Sequence, residues 1–145
     1  MTTRGNSSAE LTSARPGAYK WLRITSLLVL LLVLIQAVFA GRGLWFGGNA
    51  INIHGGIANL TGLAVLAQLV LVFVAGLRGR ASTPIIVTNV VLFILTFAQF
   101  GLGYGGRDNA TAASLHVPNG VLIFGVATLA ACLVWLKAPA GERAG

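Results

Sequence analysis

Four long runs of apolar residues alternate with short polar segments along this chain. They cover residues 24–46, 54–77, 84–104 and 115–136. Roughly 20 apolar residues are needed to cross the ~30 Å hydrocarbon core of a bilayer, so each run is long enough to span it. Because no water is present there to satisfy an open backbone, each run is predicted to be a helix. The pattern predicts an all-α integral membrane protein, a four-helix up-down bundle with residues 19–137 as its transmembrane domain.

The composition supports a membrane protein and gives the segments outside the bundle. Of the 145 residues, 56% are hydrophobic and only 9% are charged, against about 25% charged in soluble domains. The lipid bilayer is therefore the expected partner. Residues 1–18 are rich in Ser, Thr, Gly and Ala and predict a disordered cytoplasmic tail. Residues 138–145 predict a second, short cytoplasmic tail.

The net charge of +7 is explained by topology and not by nucleic acid. Only Arg42, near the end of the first apolar run, and Arg107, just after the third, lie on the side of the membrane where those runs end. The other eight basic residues precede the first run, separate the second from the third, or follow the fourth. Under the positive-inside rule this places both termini in the cytoplasm of a multi-pass protein of the cell inner (plasma) membrane. The first apolar run exceeds a signal-peptide core in length, which favours a retained span.

The two halves of the chain repeat one arrangement, which predicts an internal two-helix repeat. In each half, an apolar run contains a glutamine, ends in glycines, and is followed by an arginine and then by a histidine. Helices 2 and 4 run in the same direction and are diagonal partners in an up-down bundle. Both histidines should therefore lie near the outer face and could meet across the bundle axis. The repeated residues are Gln36, Arg42 and His54, and then Gln99, Arg107 and His116.

His54 and His116 are the only histidines of the chain, and they are the candidate metal ligands. Imidazole is an axial ligand of haem iron, and titratable groups at membrane depth are functional candidates. The pair predicts one haem b held between two histidines. Two ligands alone make a poor zinc site, which takes four. Interfacial histidines that face lipid headgroups, a quinone site and another metal remain open alternatives.

The remaining repeated residues have a functional and a structural interpretation each. Arg42 and Arg107 could hold haem propionates by paired hydrogen bonds, or could be solvated loop residues. Gln36 and Gln99 could orient the ligand histidines through their second ring nitrogen. Alternatively, they could provide ordinary interhelical hydrogen bonds.

No pattern of catalytic residues is present, so an enzyme is the less favoured class. The three acidic residues lie in tails or loops, and no lysine lies within a span. The sequence favours electron transfer or haem handling. The competing function is that of a non-catalytic accessory subunit, which packs without a cofactor in a larger respiratory or transport complex.

Residues 97–103 (FAQFGLG) and 115–120 (LHVPNG) resemble the third and fourth helices of one four-helix half of the haem A synthase family. The chain also looks like an uncharacterised family of small four-helix bacterial membrane proteins. The resemblance implies that His54 and His116 are a haem-ligating pair, and that a homodimer would recreate the eight-helix arrangement. The synthase half that performs the chemistry carries an acidic residue where Ile51 stands here. The resemblance therefore implies haem binding more than haem hydroxylation.

Overall fold

A computed structural model describes residues 17–77, 79 and 81–137 of the chain. These residues form four helices, α1 (Gly17–Phe46), α2 (Ala50–Leu77), α3 (Thr83–Gly105) and α4 (Ala110–Leu136), and no strand. All four are long and apolar enough to cross a membrane. The predicted all-α membrane bundle is confirmed. Of the predicted tails, residues 1–18 and 138–145, only Gly17 and Ala18 lie within the described residues, and they belong to α1 and not to a tail.

Two short loops join the helices at the end where the histidines lie. The sequence predicted loops at residues 47–53 and 105–114, but α2 already begins at Ala50 and α4 at Ala110. The side chain of Asn109 caps α4 by accepting the backbone N–H groups of Thr111 (2.9 Å) and Ala112 (3.2 Å), a bond that stabilises a helix start. Gly47, at φ 63°, ends α1 in the left-handed conformation that favours glycine. Both histidines therefore lie inside helices and do not open them.

The four helices surround a common axis in chain order. Within the described residues each helix packs against its two neighbours around the ring, with α1 beside α4, and the backbones of the diagonal pairs α1–α3 and α2–α4 do not approach each other closely. The closest packing is within the hairpins α1–α2 and α3–α4. We call the end formed by residues 47–49 and 106–109 the histidine end. The end that holds Gly17 and Lys137 is the terminal end.

A hydroxyl group holds the first and last helices together at the terminal end. The Tyr19 hydroxyl donates to the backbone oxygen of Lys137 at 2.6 Å and lies 3.0 Å from that of Val134. Tyr19 is itself buried beside Leu22. This bond closes the ring of helices between α1 and α4.

Buried residues recur every three or four positions on each helix. This spacing places them on one face of the helix, which packs toward the common axis. On α1 the buried residues are Tyr19, Leu22, Ser26, Val29 and Leu32. Every fully buried side chain among the described residues lies in 19–32, 61–75, 85–96 or 123–134. These four segments share the terminal end and the middle of the bundle, so the packed core does not extend to the histidine end.

Candidate functional site

The histidine end carries small and polar side chains at the positions that continue the buried face. Counting on by three or four from Leu32 gives Gln36, Ala40 and Gly43 on α1. The same count from Thr96 gives Gln99 and Gly103 on α3. These residues are partly buried, and none is fully buried. On these two helices, the positions that continue the buried face therefore carry no large apolar side chain at this end.

The two histidines occupy the same inward-facing positions on α2 and α4. His54 lies seven residues before the buried Thr61, and His116 lies seven residues before the buried Ile123. Seven residues are two helical turns, so each ring lies on the face that the core uses. The ring centroids are 6.2 Å apart, with an angle of 71° between the ring planes. Two imidazoles from diagonal helices therefore meet across the bundle axis.

His54 is held by the backbone of α1. Its Nδ1 lies 3.0 Å from the carbonyl oxygen of Gln36. Because a carbonyl oxygen can only accept, Nδ1 carries the proton and Nε2 keeps its lone pair. The Gln36 side chain points elsewhere and donates to the hydroxyl of Thr61. His54 is thus fixed in the tautomer that a metal ligand requires at Nε2.

His116 is held by a side chain and not by the backbone. The Gln99 amide nitrogen lies 3.2 Å from Nε2 of His116 and donates to the backbone oxygen of the same residue at 3.1 Å. The Gln99 side-chain oxygen accepts from Asn119 at 2.6 Å, and Asn119 also donates to the carbonyl of Leu95 at 3.0 Å. Since an amide nitrogen can only donate, it occupies the lone pair of His116 Nε2.

The second ring nitrogen of His116 is buried, and finds no hydrogen-bond partner within the described part of the chain. In the neutral ring that accepts from Gln99, this Nδ1 carries the proton. A buried donor without an acceptor is unfavourable by about 1–3 kcal/mol. The ring also lies against Gly103, where a Cβ would come within 3.0 Å of Cε1. His116 is therefore closely packed but incompletely satisfied.

Glycines near the histidines fall into two groups: some lie where two backbones approach closely, and others border open space. Gly43 and Gly106 let backbones approach, because a Cβ would meet the backbone nitrogen of Ile51 or of Ala113 at 3.2 Å. In contrast, a Cβ on Gly55, Gly56 or Gly101 would face open space. The glycines that flank His54 are therefore not required by helix packing.

Arg42 and Arg107 lie at the exposed rim of the histidine end. The Arg42 guanidinium lies 5.7 Å from the ring centroid of Phe46, and that of Arg107 lies 5.2 Å from the centroid of Tyr104. Each arginine thus contacts an aromatic ring near the end of a helix: Arg42 lies in α1 together with Phe46, and Arg107 follows α3, which contains Tyr104. A role in holding an anionic ligand stays a prediction for both residues.

Sequence reasoning missed two residues that shape the site. Thr61 receives the Gln36 amide, and its signal was its position two helical turns beyond His54. Pro118 lies inside α4, two residues after His116, and a proline in a helix interior removes one backbone hydrogen bond and bends the helix. The asparagines that follow the histidines also differ, since Asn119 joins the Gln99 network and Asn59 is exposed.

Comparison of the chain with protein-family models, with curated proteins and with solved structures finds no match. The resemblance to haem A synthases stays a prediction. The described residues contain no group of three or more His, Cys, Asp or Glu side chains that could hold a metal ion. The histidine pair is therefore the arrangement on which a functional proposal must rest.

Proposed function

We propose that this chain is a membrane b-type haem-binding protein that holds one haem b between His54 and His116, for electron transfer or haem handling. The observation that carries the proposal is the 6.2 Å separation of the two ring centroids across the bundle axis. Two metal–nitrogen bonds of about 2 Å each, extended to the centres of the rings, span roughly 6 Å. The separation thus matches the span of an iron ion with an imidazole on either side.

The residues at the histidine end fit such a group in donor chemistry and in packing. His54 already has the tautomer that presents Nε2 to a metal, because its Nδ1 bonds to the Gln36 carbonyl. His116 fits on one condition, since its Nε2 must leave the Gln99 amide before it can bind iron. The small residues at the inward positions of this end leave the interior without a packed apolar core.

When bound, haem iron with two imidazole ligands would supply a one-electron redox couple. The protein's own contribution would be to orient the rings. The Gln36 carbonyl sets the plane of His54, and the Gln99 amide restrains His116. Arg42 and Arg107 would hold propionates at the rim by charge-assisted hydrogen bonds. We assign no catalytic residue.

The charge distribution supports an orientation for this site. Lys20, Arg23 and Lys137 lie at the terminal end, and Arg42 and Arg107 at the histidine end. The positive-inside rule would then place the terminal end in the cytoplasm and the histidines near the outer face of the inner membrane.

The test is an absorption spectrum of the full chain purified in detergent, with haem quantified as the pyridine haemochrome. We expect one haem b per chain, with sharp reduced α and β bands of low-spin iron. These bands should be lost in His54→Ala and in His116→Ala, because each substitution removes an axial ligand. Asn59→Ala, an exposed change five residues after His54 on the same helix, is the matched control and should keep the bands.

A colourless wild-type protein that stays helical by circular dichroism would overturn the proposal. If that protein also co-purified with a larger membrane complex, the accessory-subunit alternative would replace it. Bands that survive in both histidine variants would equally refute the assigned ligands.

A further inference from the structure

We infer that the two proposed axial ligands are unequal: His54 is a permanent ligand, whereas His116 exchanges between the iron and the Gln99 amide. This inference rests on the proposed function. When His116 leaves, its axial position would accept a small diatomic molecule. The first observation behind the inference is the difference in how the two rings are bonded, although the two histidines occupy equivalent places in the repeat.

The partner of His54 holds the ring in the liganding state. The Gln36 carbonyl belongs to the backbone of α1, so it cannot move without the helix, and it contacts Nδ1 while leaving Nε2 free. Binding of iron at Nε2 and the hydrogen bond at Nδ1 are therefore compatible. A carbonyl that accepts from the second ring nitrogen also strengthens the metal bond.

The partner of His116 competes with the metal. The Gln99 amide nitrogen contacts Nε2 itself, at 3.2 Å, so this nitrogen cannot bond to Gln99 and to iron at the same time. Gln99 is fixed in place, because its oxygen accepts from Asn119 and its nitrogen also donates to the backbone of His116. The structure thus shows a resting position of the ring, in which Nε2 is bonded to Gln99 and is not available to a metal.

The resting position satisfies only one of the two ring nitrogens of His116. The hydrogen bond from Gln99 is offset by the buried Nδ1 of His116, which lacks a partner among the described residues. The gain from one neutral hydrogen bond and the penalty of one unpaired buried donor are of similar size. The resting position therefore holds the ring only weakly, which leaves the ring able to exchange with a second position.

The first test compares the two histidine variants by haem content and spin state. We expect His54→Ala to lose most of its haem. We expect His116→Ala to retain haem on His54 as a five-coordinate, high-spin species, and to bind carbon monoxide faster than the wild type when reduced. Equal haem loss in the two variants would overturn the inequality while leaving the proposed function intact.

The second test examines the role of Gln99 by carbon monoxide binding to the reduced wild-type protein and to Gln99→Leu. Loss of the resting hydrogen bond should favour the iron-bound ring and lower the apparent affinity for carbon monoxide by about fivefold, the effect of one neutral hydrogen bond. Gln68→Leu makes the same chemical change in the packed core and controls for general destabilisation. It should leave the affinity unchanged.

The possible failures are distinguishable. A chain that binds no haem overturns both the proposed function and this inference. A haem-loaded wild-type protein that stays low-spin and does not bind carbon monoxide would refute the exchange of His116 but not the proposed haem binding. Carbon monoxide binding that is unchanged in Gln99→Leu shows that Gln99 is not the competitor and refutes the assigned resting position.

Discussion

At the scale of single residues, the chemistry of the histidine end depends on which atom each imidazole offers to its neighbour. His54 uses Nδ1 toward a backbone carbonyl, and His116 uses Nε2 toward a side-chain amide. A carbonyl can only accept and an amide nitrogen can only donate, so both rings carry their proton on Nδ1, but Nε2 stays free in His54 and is occupied by Gln99 in His116. The same residue type at equivalent positions therefore has different metal-binding properties.

The contact between Gly103 and His116 gives a prediction at this scale. A Cβ at position 103 would lie 3.0 Å from Cε1 of His116, so the ring must shift although Gln99 holds it. We expect Gly103→Ala to be less stable than the matched variant Gly101→Ala by about 1 kcal/mol, the usual size of mild overpacking. Reversible unfolding in mixed micelles measures the difference.

Gly101→Ala is the control because it lies on the same helix, two residues away, with open space where the Cβ would be. It should be neutral or slightly stabilising, since alanine is favoured over glycine within helices. Equal stability of the two variants would show that His116 moves freely, which contradicts its close packing.

At the scale of the helices, hydrophobic pattern was sufficient to predict their number and type. The four apolar runs all correspond to helices, because a spanning segment has few alternatives. Their ends were less predictable: Asn109 was expected in a loop but provides the cap that starts α4 at Ala110. The different bonding of Gln36 and Gln99 was not predictable, since it depends on side-chain rotamers and on Thr61 across the helix interface.

Helices α2 and α3 are joined by a buried amide pair that gives a second prediction. The Gln68 amide donates to the side-chain oxygen of Asn89 at 2.6 Å, and both residues are almost completely buried. We expect Gln68→Leu and Asn89→Leu each to lower the free energy of unfolding by about 1 kcal/mol, the usual size of an interhelical hydrogen bond in membranes.

The double variant should lose less than the sum of the two single variants, because both partners of the bond are then absent. Thr88→Val is the control: its hydroxyl bonds within its own helix, to the carbonyl of Pro84 at 2.7 Å, so it should change little. Strict additivity of the two leucine variants would show that the pair does not act as a unit.

At the scale of the whole molecule, the four helices alternate in direction, so the first and last described residues lie on the same side of the membrane. The sequence predicts the direction, because Arg42 and Arg107 are the only basic residues at or near the histidine end. We expect cysteines introduced at Asn49 and Asp108, both exposed, to react with a membrane-impermeant maleimide added to intact cells. These cysteines are introduced into the Cys132→Ser variant, which lacks the only native cysteine.

The matched control for this labelling is Lys137→Cys at the terminal end. It should react only after the membrane is permeabilised. Labelling of position 137 in intact cells, with positions 49 and 108 protected, would invert the topology and move the histidines to the cytoplasmic face.

The Tyr19 hydroxyl bond between α1 and α4 has a consequence for biogenesis. It lies at the terminal end, and the packed core extends from there only to the middle of the bundle. The helices are thus held together by contacts remote from the histidines. We expect the chain to insert and assemble without the proposed haem, so that maturation can occur as a later, separate event within an already folded scaffold.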